Sequence, residues 1–173
     1  MTPITALRAR PALAFAGLTL LGSAALAASA QIALPMWPVP ATMQTLVVLL
    51  LGALGGSRLG VAAVLAYLAE GALGLPVFAS GAAGPVALMG PTGGFLLGFL
   101  PMAWLAGFAR GGLARQAGVL TAAHLVVFIP GVLWLSRFTG LEGALLAGVL
   151  PFIPGTLVKT GLALATLRVL RRA

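Results

Sequence analysis

The sequence predicts an all-α integral membrane protein, a bundle of six transmembrane helices, and three observations carry that expectation. About three quarters of the 173 residues are apolar once the 24 glycines join the hydrophobic 61%, against about half in soluble domains. Charged side chains make up 7%, where a water-facing surface needs about 25%, so a soluble domain is excluded. A crossing helix uses about 20 apolar residues, so six would fill about 120 positions and leave about 53 for connections and ends. Cysteine is absent and histidine occurs once, which removes disulfides, thiolate chemistry and a histidine metal cluster. The net charge of +8 is too dispersed for a nucleic-acid surface.

The elements follow in order. Ala12 to Ala30 is an apolar run behind Arg8 and Arg10. Ala28-Ser29-Ala30 imitates a signal cleavage site, but the run exceeds the about 7 to 15 residues of a signal core, so it reads as a retained first helix. Gln31 to Ala41 holds Pro35, Pro38 and Pro40 around Met36, Trp37 and Val39, and alternate prolines forbid a regular helix there. Thr42 to Gly56 and Leu59 to Leu75 form the second and third spans, which must pair antiparallel because only Ser57 and Arg58 join them. Pro76 to Thr92 is rich in Gly and Pro and free of charge; it reads as a long loop capping one membrane face. Gly93 to Ala109, Ala117 to Leu135 and Phe152 to Leu170 complete the six. Leu141 to Leu150, within the connection Ser136 to Pro151, suits a short helix of its own. The whole chain, 1–173, reads as one domain.

Orientation comes from basic residues near span ends, which stay cytoplasmic. Threading six helices puts Arg8, Arg10, Arg58, Arg110, Arg115, Arg168, Arg171 and Arg172 on one side and Arg137 on the other. Both termini are then cytoplasmic, and the two Gly- and Pro-rich loops face outward.

Few side chains can carry chemistry. Lys159, about 10 Å below the outer end of the sixth helix, is costly unless it lines a polar cavity, snorkels, pairs with Glu70 or meets an anionic ligand. Thr156 shares its face. Glu70 lies near a helix end where water can solvate it, His124 suits a hydrogen bond to a neighbouring carbonyl, and Arg137 with Glu142 suits an exposed pair. Gln44 and Thr42 open the second span, Thr42 as its N-cap. Gly90-Pro91-Thr92-Gly93-Gly94 lacks the preceding strand and the Lys-Ser/Thr pair of a phosphate loop. A glycine cluster ahead of a helix nevertheless frees N–H groups that suit a polar or anionic group. Ala12 with Ala16 and Ala24 with Ala28 make a flat face that another helix could approach, although alanine is abundant enough to give such spacing by chance.

Four stretches then resemble one family: Gln31-Ile-Ala-Leu-Pro-Met-Trp-Pro-Val-Pro-Ala-Thr-Met-Gln-Thr-Leu46, Tyr67-Leu-Ala-Glu-Gly-Ala-Leu-Gly-Leu-Pro-Val-Phe-Ala79, Gly90-Pro-Thr-Gly-Gly-Phe-Leu-Leu-Gly-Phe99 and Leu150-Pro-Phe-Ile-Pro-Gly-Thr-Leu-Val-Lys159. In this order and spacing they are similar to the BioY family, the biotin-binding S components of energy-coupling factor (ECF) vitamin transporters. The resemblance implies a multi-pass protein of the prokaryotic plasma membrane. Biotin would bind near the outer face, in a cavity closed by the loops after the first and third helices and lined by helices four to six. It implies a membrane coupling protein and ATP-hydrolysing subunits as partners, with Ala12, Ala16, Ala24 and Ala28 as the contact face. No cofactor is implied, contact with lipids is, and self-association is left open. Lys159, Thr156, Gln44, Thr92 and Ser80 become the polar candidates for the ligand, and Trp37, Phe78 and Phe95 the apolar or lid candidates. One departure stands out: the family pattern Pro-Gly-Asp-x-x-Lys has Thr156 here in place of the acid, which removes a strong acceptor. Two other classes compete. One is an intramembrane enzyme using Glu70, His124 and Lys159, which would have to converge within about 3 Å; the other is a structural subunit without a ligand.

Overall fold

The computed structural model describes residues 11–170, so Arg8, Arg10, Arg171 and Arg172 lie outside it. Helix α1 covers Pro11–Ala30. Two-residue strands β1 (Ala33–Leu34) and β2 (Ala41–Thr42) pair antiparallel, Ala33 opposite Thr42. Helix α2 is Gln44–Ala72, α3 Gly84–Met89, α4 Gly93–Ala106, α5 Leu113–Val126, α6 Phe128–Gly148 and α7 Ile153–Leu170. Short 3-10 turns occupy Ala79–Gly81 and Leu150–Phe152. The architecture is mostly helical, and Pro11–Ala30, Gln44–Ala72 and Leu113–Leu170 contain stretches long and apolar enough to cross a membrane. Helix is the expected answer for such a composition, because hydrocarbon offers no partner to a free N–H or C=O.

Four expectations about elements need correction. The chain is not purely α: the prolines of 35–40 exclude helix, and the flanking residues close a small ladder instead. The second and third spans are one assigned helix, yet they do fold back on each other. At Gly56 the backbone takes φ 82°, ψ 165°, a left-handed conformation open to glycine. Gln44 then reaches Tyr67, and a Cβ on Gly60 would meet the Gly52 Cα at 2.9 Å. The turn is therefore at Gly56, ahead of the Ser57-Arg58 pair, and the two arms 44–55 and 57–72 lie antiparallel. The fifth span starts earlier and ends later than Ala117 to Leu135. Val127 keeps helical angles (φ −61°, ψ −30°) between α5 and α6, and the helical path runs on to Gly140, where φ is 72°. Residues 136–139, expected in a connection, are thus helical. The short helix expected from Leu141 follows that turn, with Ala144 buried and Gly148 against Leu135 and Phe95. Fourth, α4 ends at Ala106, three residues short of Ala109, and the capping loop Pro76 to Thr92 contains α3.

The bundle has two unlike ends. One holds residues 31–43, the 73–92 segment, the start of α4 and the start of α7. At the other, Gly56 turns beside Arg110, and Ser57 Oγ donates to the Trp104 carbonyl at 2.8 Å. Arg58, Arg110, Arg115 and Arg168 belong to this second end and are exposed, while Arg137 belongs to the first. The main core joins α1, α2, α4, α5 and α7 through Leu26, Leu49, Met102, Leu120 and Leu167, all fully buried. A smaller cluster of Val39, Phe95, Leu135 and Ala144 sits at the first end.

Candidate functional site

Between the irregular segments and the helices of the first end lies a cavity of about 290 Å³, close to the lower size of small-molecule sites. One wall is aromatic. Phe95 on α4 stacks on Phe152 with ring centres 6.2 Å apart, and Phe128 meets both edge-on at 6.5 Å. Phe78, 3% exposed, closes another side. It is held by an edge contact with Tyr67 at 5.3 Å, and its ring fills the space above Gly71, where any Cβ would collide with it. The start of α4 is pinned from α6: Trp134 Nε1 donates to the Gly90 carbonyl at 2.9 Å, and Gly94 lies directly against Trp134 and the Pro130 carbonyl. That docking brings Thr92 to the cavity edge.

The polar groups come chiefly from α2, α5 and α7. Lys159 is 9% exposed and lines the cavity, and its Nζ donates to the Thr42 carbonyl of β2 at 3.0 Å. Thr156, one turn earlier, is buried beside it. His124, 1% exposed, hydrogen-bonds Thr160 Oγ1 through Nδ1 at 2.8 Å and also lines the cavity. Gln44 is buried at the start of α2. Its Nε2 donates to the Tyr67 hydroxyl at 2.7 Å, its Oε1 accepts from Thr42 Oγ1 at 3.0 Å, and Tyr67 donates onward to the Val77 carbonyl at 3.2 Å. Among the described residues Thr45 Oγ1 is buried with no hydrogen-bond partner, at a residue that lines the same space. A cation, an amide and several hydroxyls facing aromatic walls can hold a small amphipathic molecule with an anionic or strongly accepting end.

The structure thus brings Lys159, Thr156, Gln44, Thr92, Phe78 and Phe95 to one cavity. It leaves two candidates outside the lining. Ser80 is exposed in the 3-10 turn, and Trp37 is 87% exposed on the β1–β2 loop. The Lys159–Glu70 pair does not form, because Glu70 accepts from the fully buried Ser23 of α1 at 2.5 Å. Glu70 is therefore tied to α1, instead of being simply solvated. His124 pairs with a threonine hydroxyl, not a carbonyl. Thr42 is one residue early for the N-cap, which is Met43, and its side chain serves Gln44. Arg137 lies over the Trp134 ring at 5.1 Å, where a pair with Glu142 was expected. With Glu70 on Ser23, the three residues of the enzymatic alternative do not assemble. Ala12, Ala16, Ala24 and Ala28 are all exposed on α1. Sequence reasoning missed Tyr67, Thr45, Phe128 and Phe152. For the two phenylalanines the aromatic content near Pro130 and Pro151 was the available signal; for Tyr67 and Thr45 there was none beyond their neighbours in the quoted motifs.

Known proteins resemble this arrangement throughout its length. The sequence model of the BioY family matches residues 6–173. The probable biotin transporter BioY of Pyrococcus horikoshii is 40% identical over 134 residues, 78% of this chain and 82% of that one. The biotin transporter BioY of Thermotoga maritima is 34% identical over 153 residues, covering 86% and 89%, and that of Rhodobacter capsulatus is 39% identical over 149 residues, covering 75% and 78%. Among solved structures, an S-component for biotin from an ECF-type ABC transporter superposes with a TM-score of 0.82, covering 100% of this chain and 95% of that one at 24% identity, which supports the same fold. The chain belongs to the BioY family.

Proposed function

We propose that this protein captures biotin in the membrane as the S component of an ECF-type transporter, binding it without covalent chemistry. Two or more of its relatives carry the name biotin transporter, and a structure with its fold is the biotin S-component of such a system. The observation that carries the reading on this chain is Lys159, a nearly buried cation in a largely apolar cavity whose hydrogen-bond partner is a neutral carbonyl. An anion or strong acceptor is what such a cation lacks. Biotin offers a carboxylate, a urea and an apolar ring system. Lys159, Thr156, Gln44 and Thr92 are the polar contacts of this reading, and Phe78 and Phe95 the apolar ones; Ser80 and Trp37 have weaker support because they stand outside the lining.

In the same reading the chain is one domain of six crossings in the prokaryotic plasma membrane: α1, the two arms of α2, α4, the path 113–139, and α7. The arms of α2 are about 18 and 24 Å long, short of about 30 Å of hydrocarbon, and the irregular segments at the cavity end make up the difference. The gathering of Arg58, Arg110, Arg115 and Arg168 at the other end supports cytoplasmic termini and an outward cavity. The exposed alanines of α1 leave room for a coupling protein, whose ATP-hydrolysing partners would supply the energy. Equilibrium binding of labelled biotin to the detergent-purified chain tests the proposal. Saturable binding displaced by unlabelled biotin is expected, and none at micromolar concentration would refute it.

A further inference from the structure

Tyr67 is the only tyrosine in the chain. It is 0% exposed, and it does not line the cavity. Its hydroxyl nevertheless joins two parts of the cavity that come from distant stretches of sequence. Gln44 Nε2 donates to it from the start of α2, and it donates to the Val77 carbonyl, one residue before Phe78. The same chain of hydrogen bonds continues the other way. Thr42 Oγ1 donates to Gln44 Oε1, and the Thr42 carbonyl accepts from Lys159. Each donor and acceptor in this series has one consistent direction. A phenol has one proton, which goes to Val77, so its oxygen must accept from Gln44, and this fixes which way the Gln44 amide points.

We propose that Tyr67 is a positioning residue that locks the 76–83 segment over the cavity and orients Gln44 for the ligand, so that the Lys159 wall and the Phe78 wall close together. This rests on the biotin-binding reading for its ligand but not for its geometry. A tyrosine that only packed would need its ring, which already sits edge-on to Phe78. The hydroxyl is the informative atom. Removing it leaves the buried Gln44 amide N–H and the part-buried Val77 carbonyl without their partner, at a junction of three segments, and leaving such groups unpaired is costly. Besides that bond, the segment is held by the buried Phe78 ring against Gly71 and Tyr67 and by Gln31 Nε2, which donates to the Phe78 carbonyl at 3.1 Å, and it bonds to itself through Phe78 N to the Ala82 carbonyl at 3.1 Å.

The test is Tyr67→Phe in the full chain, with two readouts. Amide hydrogen exchange, measured without biotin, should speed up about tenfold in 76–83 and stay unchanged in α5 and α7. Labelled biotin should dissociate about three- to tenfold faster, the scale of one buried hydrogen bond. Gln44→Met, which cuts the same chain one bond away and leaves Tyr67 in place, should also speed exchange in 76–83, and it serves if Tyr67→Phe fails to fold. Unchanged exchange in that segment for either folded variant, or equal acceleration in every helix, would overturn the proposal. If the parent binds no biotin while the segment still responds, the transport reading falls and the role of Tyr67 stands.

Discussion

At the Arg-rich end of the bundle, polar groups are consumed by the backbone: Ser57 donates to the Trp104 carbonyl and Gln116 Nε2 to the Gly111 carbonyl at 2.6 Å. At the cavity end the chain gives up helix for a strand ladder, 3-10 turns and one short helix, and there Lys159, Thr42, Gln44, Tyr67 and Val77 form a connected series beside an open space. The Arg-rich end closes turns and anchors basic side chains. The cavity end suspends polar side chains where a small molecule can reach them. Regular helix satisfies its own backbone and has little left to offer a ligand, so recognition concentrates where the helices stop.

The contrast can be broken most completely by labelling. Cysteine placed at Ser80, in the covering segment, should react fully with an impermeant thiol reagent applied to intact cells. One at Gly112, where an added side chain meets nothing within 4 Å, should stay unlabelled until the cells are opened. Reaction of Gly112→Cys from outside would reverse the orientation read from the basic residues. Next in size is Lys159→Met, which keeps most of the stem and removes the charge. Biotin affinity should fall about tenfold to a hundredfold, the range of a charge-assisted hydrogen bond. Glu142→Gln, on an exposed side chain, should stay within about twofold. Isothermal titration that finds the two variants alike would remove Lys159 from the site.

A change at the other end should separate stability from binding. Gly60→Val drives a branched side chain against the Gly52 backbone and should destabilise the protein by about 2–3 kcal/mol. The molecules that remain folded should bind biotin as the parent does, and thermal unfolding followed by binding to the folded fraction checks both. The smallest effect is expected at Thr45. Thr45→Val replaces a buried hydroxyl that has no partner among the described residues, and should stabilise the protein by about 1 kcal/mol. A drop in melting temperature would mean that the hydroxyl is satisfied in solution.

Much of the fold was legible because lipid imposes strict terms on a chain. Apolar runs gave α1 and α7 to within about a residue, and prolines marked 35–40 as non-helical. The hairpin of α2 was anticipated from its short connection, while its turn fell at Gly56 because a positive φ decides the position, and composition does not report φ. The fifth span was ended at Leu135, ahead of Ser136 and Arg137, whereas the helix runs on to the positive-φ turn at Gly140; Pro130, inside the span, sits in the first turn of α6, where a missing N–H costs little. In the site, Lys159 announced itself through the cost of an intramembrane cation, with Thr156 one turn away. Tyr67 gave no such signal, because its partners are 23 positions earlier and 10 later. Ser80 and Trp37 show the opposite failure. In a segment without periodicity, sequence names the polar or aromatic residue and not the direction in which it faces.

The hairpin of α2 has a consequence for how the protein is made. Its two arms emerge from the ribosome in succession, and their turn carries Arg58. In the six-crossing reading, the amide of Gln44 and the phenol of Tyr67, which would each enter hydrocarbon at a penalty if alone, pair with one another inside this single hairpin, and their remaining bonds go to Val77 and Thr42 just beyond its ends. The pair can leave the translocation machinery together, with a polar clasp already fastened, before α4 and α7 have been synthesised. Assembly would then begin from a local, internally paired unit, and the later helices would dock against a surface whose most expensive groups are already covered.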